Sequence, residues 1–209
     1  MTSYLVPAGY GEAEYVEKRS RFIARVWPVE NEAEALAHLE AVRKQHYDAR
    51  HNVYAYIIRE NGIMRYSDDG EPQGTSGQPT LNVFRSQEIQ NFCCIVTRYF
   101  GGILLGTGGL VRAYSTAAKM ALENAGISRM ALWKSIELGC TYSQFERIKR
   151  LLEEYEAVIE NTDFGTDIVF SALLREDKMD AFSKALTELS AGSCEYLECG
   201  ESFRGVRIK

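Results

Sequence analysis

The sequence predicts an α+β protein of two domains, residues 1–130 and 131–209. Short apolar strands alternate with amphipathic helices along the chain, and the second block follows the order β-α-β-β-α-β. The charge also divides between the blocks. Residues 1–130 carry 14 Lys+Arg and 14 Asp+Glu, whereas residues 131–209 carry 10 and 15. With 209 residues and 45% hydrophobic content, the chain is long enough for two modest cores.

Composition excludes several classes of protein. The first seven residues lack the basic start and apolar run of a signal peptide, and no stretch of about 18 apolar residues could span a bilayer. We therefore expect a cytoplasmic protein with no membrane partner. The five cysteines have no Cys-x-x-Cys spacing, which predicts reduced, buried thiols and no metal site. The acidic second block would repel a phosphate backbone, so DNA is an unfavourable partner and any nucleic-acid contact is expected in residues 1–130.

The first block is predicted to begin with an extended, buried segment at residues 15–29. A helix then starts at Asn31, where Glu34 three residues later completes a capping-box pattern. The apolar face of this helix is predicted to contain Leu36, Leu39 and Val42.

A hairpin is predicted next, because a Tyr- and Val-rich run at residues 52–59 is followed by Asn61-Gly62 and a short strand at residues 63–67. Another short strand is expected at residues 80–84. Residues 92–97 form a continuous apolar run, which predicts a central strand covered on both faces.

A long helix is predicted after the glycine cluster that follows this strand. Small and apolar residues recur at helical spacing for four turns, and Gly126 is placed to end the helix. Arg112, Lys119 and Glu123 fall outside this stripe, whose members are Leu110, Tyr114, Ala117, Ala118, Ala121, Leu122 and Ala125.

In the second block, strands are predicted at residues 135–141, 157–163, 167–174 and 194–201. Between them lie two helices, the first starting with a Ser143–Glu146 capping box and the second ending at Gly192.

The glycine-rich segment at residues 98–112 is the first candidate site. Its glycines lie between a buried strand and a helix start, where free backbone N–H groups and the helix dipole favour an anion. Two flanking arginines could hold a phosphate or carboxylate. The alternative is that the glycines only permit tight packing of the strand on the helix. The candidate anion- or nucleic-acid-binding residues are Arg98, Gly101, Gly102, Gly106, Gly108, Gly109, Arg112, Arg21 and His51.

The segment at residues 68–79 is the second candidate, because three carboxylates fall within four residues. Their spacing does not match a calcium loop, so a rigid turn with solvated or helix-capping carboxylates is the alternative. No catalytic residue is assigned, since no Ser-His-Asp or Cys-His arrangement stands out. A second loop of the anion site could contain Asp68, Asp69, Glu71, Thr75 and Ser76.

Four segments together resemble the IMPACT/YigZ family: residues 18–24, 49–56, 68–79 and 98–114. The resemblance implies a first domain similar to the fold of a small-ribosomal-subunit protein and of elongation factor G domain IV. It also implies a ferredoxin-like second domain similar to another domain of elongation factor G. Eukaryotic relatives regulate translation by competing for a scaffold that activates an initiation-factor kinase.

The expected function is therefore that of a translation-associated regulatory binding protein. It would contact a ribosome, RNA or a translation factor through the glycine-rich surface, without a cofactor. Two alternatives remain open: an enzyme acting on a phosphorylated small molecule, by analogy with small-molecule kinases of the same fold, and a protein–protein interaction module.

Overall fold

The computed structural model describes residues 3–208, in which strands and helices alternate as a mixed α/β fold. The helices are α1 (Glu32–Gln45), α2 (Gly77–Arg85), α3 (Thr107–Ala125), α4 (Phe145–Glu154) and α5 (Met179–Ser190). The strands are β1 (Ser3–Pro7), β2 (Gly11–Glu17), β3 (Ser20–Pro28), β4 (His51–Ile58), β5 (Ile63–Ser67), β6 (Phe92–Tyr99), β7 (Ile127–Cys140), β8 (Val158–Phe164), β9 (Ile168–Arg175) and β10 (Tyr196–Arg207). Across the described residues, no helix has the length and apolar character needed to cross a bilayer.

The chain forms two compact units. The first contains residues 4–129 and 206–208, and the second contains residues 130–205 with Ser3. The prediction of two domains that each combine helices and strands is thus confirmed. Residues 130 and 131, where the two predicted domains meet, lie inside β7.

The first unit is built on a sheet of order β2-β3-β6-β4-β5, whose pairs are antiparallel. As predicted, β6 is central and covered on both faces. Phe92, Cys94 and Val96 belong to the larger core, formed with α2 and α3, while Cys93 and Ile95 belong to the smaller core beneath α1.

The single extended segment predicted at residues 15–29 is wrong, because the chain reverses within it. Strands β2 and β3 pair antiparallel with Glu17 opposite Ser20, so Lys18 and Arg19 form a two-residue turn. Both turn residues have positive φ, 45° and 67°. The local sequence gives no signal for this turn, because it lacks the Asn and Gly residues that such turns favour.

The start of α1 is confirmed at Asn31, whose side chain accepts a hydrogen bond from the Glu34 N–H at 3.0 Å. Its predicted apolar face is partly wrong. Leu36 is 47% exposed, and Ala35 lies buried in the core beside Leu39 and Val42.

The strand predicted at residues 80–84 is also wrong, since these residues lie in α2. Pro79 is the third residue of this helix, where its missing N–H breaks no intrahelical hydrogen bond. Leu81 and Phe84 are three residues apart and both buried, so the short apolar run satisfies a helix as well as a strand.

The helix predicted after the glycine cluster is confirmed as α3, and every residue of its predicted stripe is buried. Its alanines allow β2 to approach closely. A Cβ atom placed on Gly11 would lie 2.2 Å from the Ala121 carbonyl oxygen.

In the second unit, β9 lies between β7 and β8 with antiparallel pairing, and β10 also pairs with β7. Helices α4 and α5 contribute to one apolar core with the strands. The predicted Ser143–Glu146 capping box is wrong. The N-cap is Gln144, one residue later than predicted. The Gln144 side chain accepts a hydrogen bond from the Thr141 N–H at 3.1 Å.

Candidate functional site

A buried carboxylate, Glu71, connects three segments of the first unit. Its Oε1 atom accepts hydrogen bonds from Arg98 Nη1 at 2.6 Å and from the Tyr114 hydroxyl at 2.8 Å. The Glu71 side chain is 3% exposed and that of Arg98 is 7% exposed. Burial, and then the neighbouring Glu71 charge, raise the pKa of Tyr114 well above its usual value, so its hydroxyl stays a donor. Together with His51, these residues are called the Glu71 hub.

His51 lies directly across the sheet from Arg98, because β4 and β6 pair with these residues in register. Its Nδ1 atom is 2.8 Å from the Asp69 carbonyl oxygen. Since a carbonyl only accepts, Nδ1 carries the proton. The other ring nitrogen of His51, Nε2, is 4.0 Å from Glu71 Oε1.

Arg98 lies between two aromatic rings as well as beside Glu71. Its guanidinium carbon is 5.4 Å from the centre of the Phe22 ring and 5.5 Å from that of Phe100. Its Nε atom is buried and has no hydrogen-bond partner within the described residues. Because Glu71 neutralises it inside the fold, Arg98 stabilises the hub and offers little charge to an external anion.

The loop at residues 68–76 uses Asp68 to organise its own backbone. The Asp68 carboxylate accepts from the N–H groups of Gly74, Ser76 and Gly77 and from the Ser76 hydroxyl, at 2.7–3.0 Å. Burial alone would raise the pKa of Asp68, but these hydrogen bonds outweigh it and hold the pKa below its usual value. Asp68 thus caps the start of α2.

Asp69 and Thr75 are also committed to internal contacts. Asp69 accepts from the Asn52 N–H at 2.7 Å and from Arg43 at 3.0 Å, and the Thr75 hydroxyl donates to the Pro72 carbonyl at 2.7 Å. The loop is therefore a structured turn whose carboxylates serve the fold.

The glycine-rich segment forms a surface next to the hub. Gly101 lies against the β2–β3 turn so closely that a Cβ atom there would be 2.1 Å from the Arg19 carbonyl carbon. The Gly101 N–H donates to the Ser20 hydroxyl at 3.1 Å. Gly106 then starts α3 without a side-chain cap. Residues 100–109 with Lys18, Arg19 and Arg112 are called the glycine-loop surface.

This surface combines exposed apolar groups with a polar pocket. Leu104 is 82% exposed and Ile103 is 43% exposed. The pocket has a volume of about 360 Å³ and joins the turn to the first part of α3. It is lined by Tyr15, Glu17, Lys18, Leu105, Gly109, Val111, Arg112, Ala113, Ser115 and Thr116.

Several of the predicted site residues therefore separate into different places. Arg98, His51 and Glu71 meet in the hub, whereas Gly109 and Arg112 line the pocket. Arg21 is exposed and held by Glu14 through two hydrogen bonds of 2.7 and 2.9 Å. Gly102, Gly106 and Gly108 belong to the loop and helix start of the glycine-loop surface.

Sequence reasoning missed Tyr114, Tyr15 and Lys18 as parts of these sites. Tyr114 was assigned only to the apolar stripe of α3, although a tyrosine among alanines carries a hydroxyl that needs a partner when buried. Lys18 could be predicted as a site residue only if the turn between β2 and β3 had been recognised.

A further polar chain, also missed, lies on the α1 side of the sheet. Arg25 donates to His46 Nε2 at 2.8 Å, His46 Nδ1 is 2.9 Å from the Tyr99 hydroxyl, and that hydroxyl donates to Asp48 at 3.0 Å. Burial, and then the Arg25 charge, lower the pKa of His46. The chain holds Tyr99 at the end of β6, immediately before the glycine-rich loop.

Comparison with known proteins identifies the family. The Impact N-terminal domain matches residues 18–122, and a domain of unknown function, DUF1949, matches residues 138–193. The IMPACT family member YvyE of Bacillus subtilis is 36% identical over 197 residues, covering 94% of this chain and 91% of its own.

The chain belongs to the IMPACT family. The Impact N-terminal match contains every residue of the Glu71 hub and most of the glycine-loop pocket. The IMPACT family member YigZ of Escherichia coli is 35% identical and covers 96% of this chain and 100% of its own. The mouse Protein IMPACT is 34% identical over 129 residues, 58% of this chain and 39% of its own. A crystal structure described as that of a hypothetical protein is 34% identical, with a TM-score of 0.60 and coverage of 96% and 98%.

Proposed function

We propose that this protein is a translation-associated regulatory binding protein of the cytoplasm, which contacts a ribosome, RNA or a translation factor through the glycine-loop surface. The observation that carries the proposal is the packing of the Lys18-Arg19 turn directly on Gly101. This contact brings the turn to the loop that precedes α3, and Lys18 lines one pocket with Arg112 of that helix, whose N-terminal dipole also favours negative charge.

The charge of this surface is available to a partner. Within residues 3–208, neither Lys18 nor Arg112 makes an ion pair with a carboxylate. Unpaired cations next to exposed apolar side chains suit an RNA–protein surface, where phosphates and base faces are contacted together.

The Glu71 hub has a supporting part in this proposal. It fixes the end of β6, the loop at residues 68–76 and α3 relative to one another through buried contacts. A rigid support of this kind keeps the neighbouring loop in a binding-competent position.

The family resemblance supports a role in translation, because it implies translation regulation among the eukaryotic relatives. We assign residues 1–130 to an IMPACT-type domain similar to elongation factor G domain IV. We assign residues 131–209 to a ferredoxin-like domain, which the spatial order β10-β7-β9-β8 supports. The acidic composition of the second domain restricts phosphate contacts to the first.

A protein–protein interaction module is the second candidate, and the exposure of Leu104 favours it. The enzymatic alternative receives less support. The Glu71 carboxylate is buried and already accepts from Arg98 and Tyr114, so it is poorly placed to accept a substrate proton.

The proposal is tested by co-sedimentation with ribosomes at low and moderate salt. Lys18→Ala/Arg112→Ala is compared with wild type, and Arg85→Ala serves as the control because Arg85 is an exposed cation at the end of α2. We expect salt-sensitive binding that the double variant loses and the control retains. A wild-type protein that fails to sediment with ribosomes even at low salt would contradict the translation role.

A Leu104→Ser variant separates the two candidates. If it abolishes sedimentation while Lys18→Ala/Arg112→Ala does not, the surface binds a protein through apolar contact. All variants would first be compared with wild type by thermal melting.

A further inference from the structure

The turn between β2 and β3 holds two long cationic side chains in an unfavourable backbone conformation. Lys18 and Arg19 both have positive φ, which is uncommon outside Gly, Asn and Asp. Strained residues persist where the side chains serve a purpose that the preferred residues cannot. Asn-Gly would suit the backbone of this turn better, but it would remove both positive charges.

The charges in the adjoining pocket define what it can accept. Lys18 and Arg112 contribute two positive charges and Glu17 contributes one negative charge, so the ionised side chains lining the pocket carry a net charge of +1. A phosphodiester carries a single negative charge and matches this balance, whereas a nucleoside triphosphate carries several.

Because Glu17 also lines the pocket, a matching ligand should carry a hydrogen-bond donor for its carboxylate. Its Oε2 atom accepts from the Tyr15 hydroxyl at 3.0 Å, and no second donor to this carboxylate is found within residues 3–208, so it has acceptor sites left for a ligand. The hydrogen bond to Glu17 raises the pKa of Tyr15, and the nearby charge of Arg112 opposes that rise. Arg112, Tyr15 and Glu17 all line this pocket, so the cation, the phenol and the carboxylate can contact one ligand.

We propose that this pocket binds one ribonucleotide unit, with its phosphate held by Lys18 and Arg112 and a ribose 2′-hydroxyl donating to Glu17. RNA and free ribonucleotides supply both groups, whereas DNA supplies the phosphate without the 2′-hydroxyl. The volume of about 360 Å³ lies at the lower end of the range for small-ligand pockets, which suits a single nucleotide unit. The inference rests on the proposed function, because it specifies the chemistry that the same surface recognises.

The decisive variant is Lys18→Asn/Arg19→Gly, which removes the cations while improving the turn. The atoms nearest to a Cβ placed on Gly101 belong to the backbone of Arg19 and Ser20, so the packing there is retained. We expect a melting temperature equal to or above that of wild type, with RNA affinity at least about tenfold weaker. A gain in stability combined with a loss of binding cannot be attributed to misfolding.

A second variant, Glu17→Gln, tests the ribose contact. We expect it to bind single-stranded DNA as well as wild type does, or better, because a negative charge is removed. Its preference for RNA over DNA should fall several-fold, since a carboxylate accepts more strongly than an amide. Arg85→Ala remains the control for a general loss of positive charge.

The measurement is fluorescence anisotropy with labelled ten-nucleotide single-stranded RNA, DNA of the same sequence and a double-stranded RNA. Adenosine monophosphate is added as competitor. Displacement of the RNA by low concentrations of the mononucleotide would assign the pocket to free nucleotides, and its failure to compete would assign it to the RNA chain. Equal wild-type affinity for RNA and DNA, or unchanged RNA binding by Lys18→Asn/Arg19→Gly, would overturn the inference.

The outcome is separable from that of the proposed function. Ribosome sedimentation without oligonucleotide binding would leave the translation role in place and refute the ribonucleotide pocket. Pocket-dependent RNA binding without ribosome sedimentation would support the pocket and refute ribosome association.

Discussion

Replacement of Arg98 by methionine should strongly destabilise the first unit. Methionine retains much of the length and apolar volume between the Phe22 and Phe100 rings but removes the charge opposite Glu71. Glu71 would then remain buried, with the Tyr114 hydroxyl as its remaining donor among the hub contacts.

The magnitude follows from burial. Removing one partner of a buried ion pair costs about 3–5 kcal/mol, because the other charge loses its compensation. Tyr114→Phe removes one hydrogen bond to a charged group and should cost about 1.5–3 kcal/mol. A domain is stable by only about 5–15 kcal/mol, so Arg98→Met removes a large part of that margin.

The second step is the double variant Arg98→Met/Glu71→Met. It removes both charges, so we expect it to unfold at a higher denaturant concentration than Arg98→Met alone. This order is the signature of an ion pair, because independent contributions would make the double variant the less stable of the two.

The assay is urea unfolding at pH 7 in a Trp133→Phe background, so that Trp27 fluorescence reports the first unit. With a urea slope of about 1–3 kcal/mol/M, a loss of 3 kcal/mol lowers the midpoint by about 1 M or more. A loss below about 1 kcal/mol for Arg98→Met, or a double variant less stable than Arg98→Met, would refute the reasoning. The same result explains why Lys18 and Arg112, rather than Arg98, are the residues to change in binding assays.

Three further predictions concern the loops and the polar chain. Asp68→Ala should lower the free energy of unfolding by about 2 kcal/mol in urea titrations, because several backbone donors lose a charged acceptor. The wild-type carboxyl, with its lowered pKa, contributes stability above about pH 4 and loses it as pH falls through the folded-state pKa; Asp68→Asn should not show that loss. Gly101→Ala should lower the free energy of unfolding by about 1–3 kcal/mol or more, because the added Cβ overlaps the Arg19 backbone. Gly108→Ala, whose Cβ would have its nearest neighbour at 3.7 Å, should leave the melting temperature unchanged or raise it. His46 has a lowered pKa, so wild-type stability should fall as pH drops below about 6.5, and His46→Asn should flatten that dependence; an unchanged slope would contradict the assignment.

Local sequence patterns correctly predicted the elements that depend on residues close together in the chain. The α3 stripe, the Asn31 cap and the hairpin at Asn61-Gly62 each depend on spacing between near neighbours. The same reasoning was wrong at residues 80–84, where the spacing of two buried residues fits a helix as well as a strand. It was also wrong at Lys18-Arg19, where neither residue is of a type that usually forms such a turn. In both cases distant packing outweighed local preference.

By itself, the sequence determined the mixed α/β class, the two-domain organisation, the family and the two glycine-rich segments that carry the candidate residues. Only the tertiary structure decided which of those residues meet. Glu71, Arg98 and Tyr114 come from a loop, a strand and a helix, and Lys18 and Arg112 line one pocket although more than ninety residues separate them in the chain. Such meetings result from how the sheet and helices pack, and packing sums many weak, non-local contacts that no local spacing encodes.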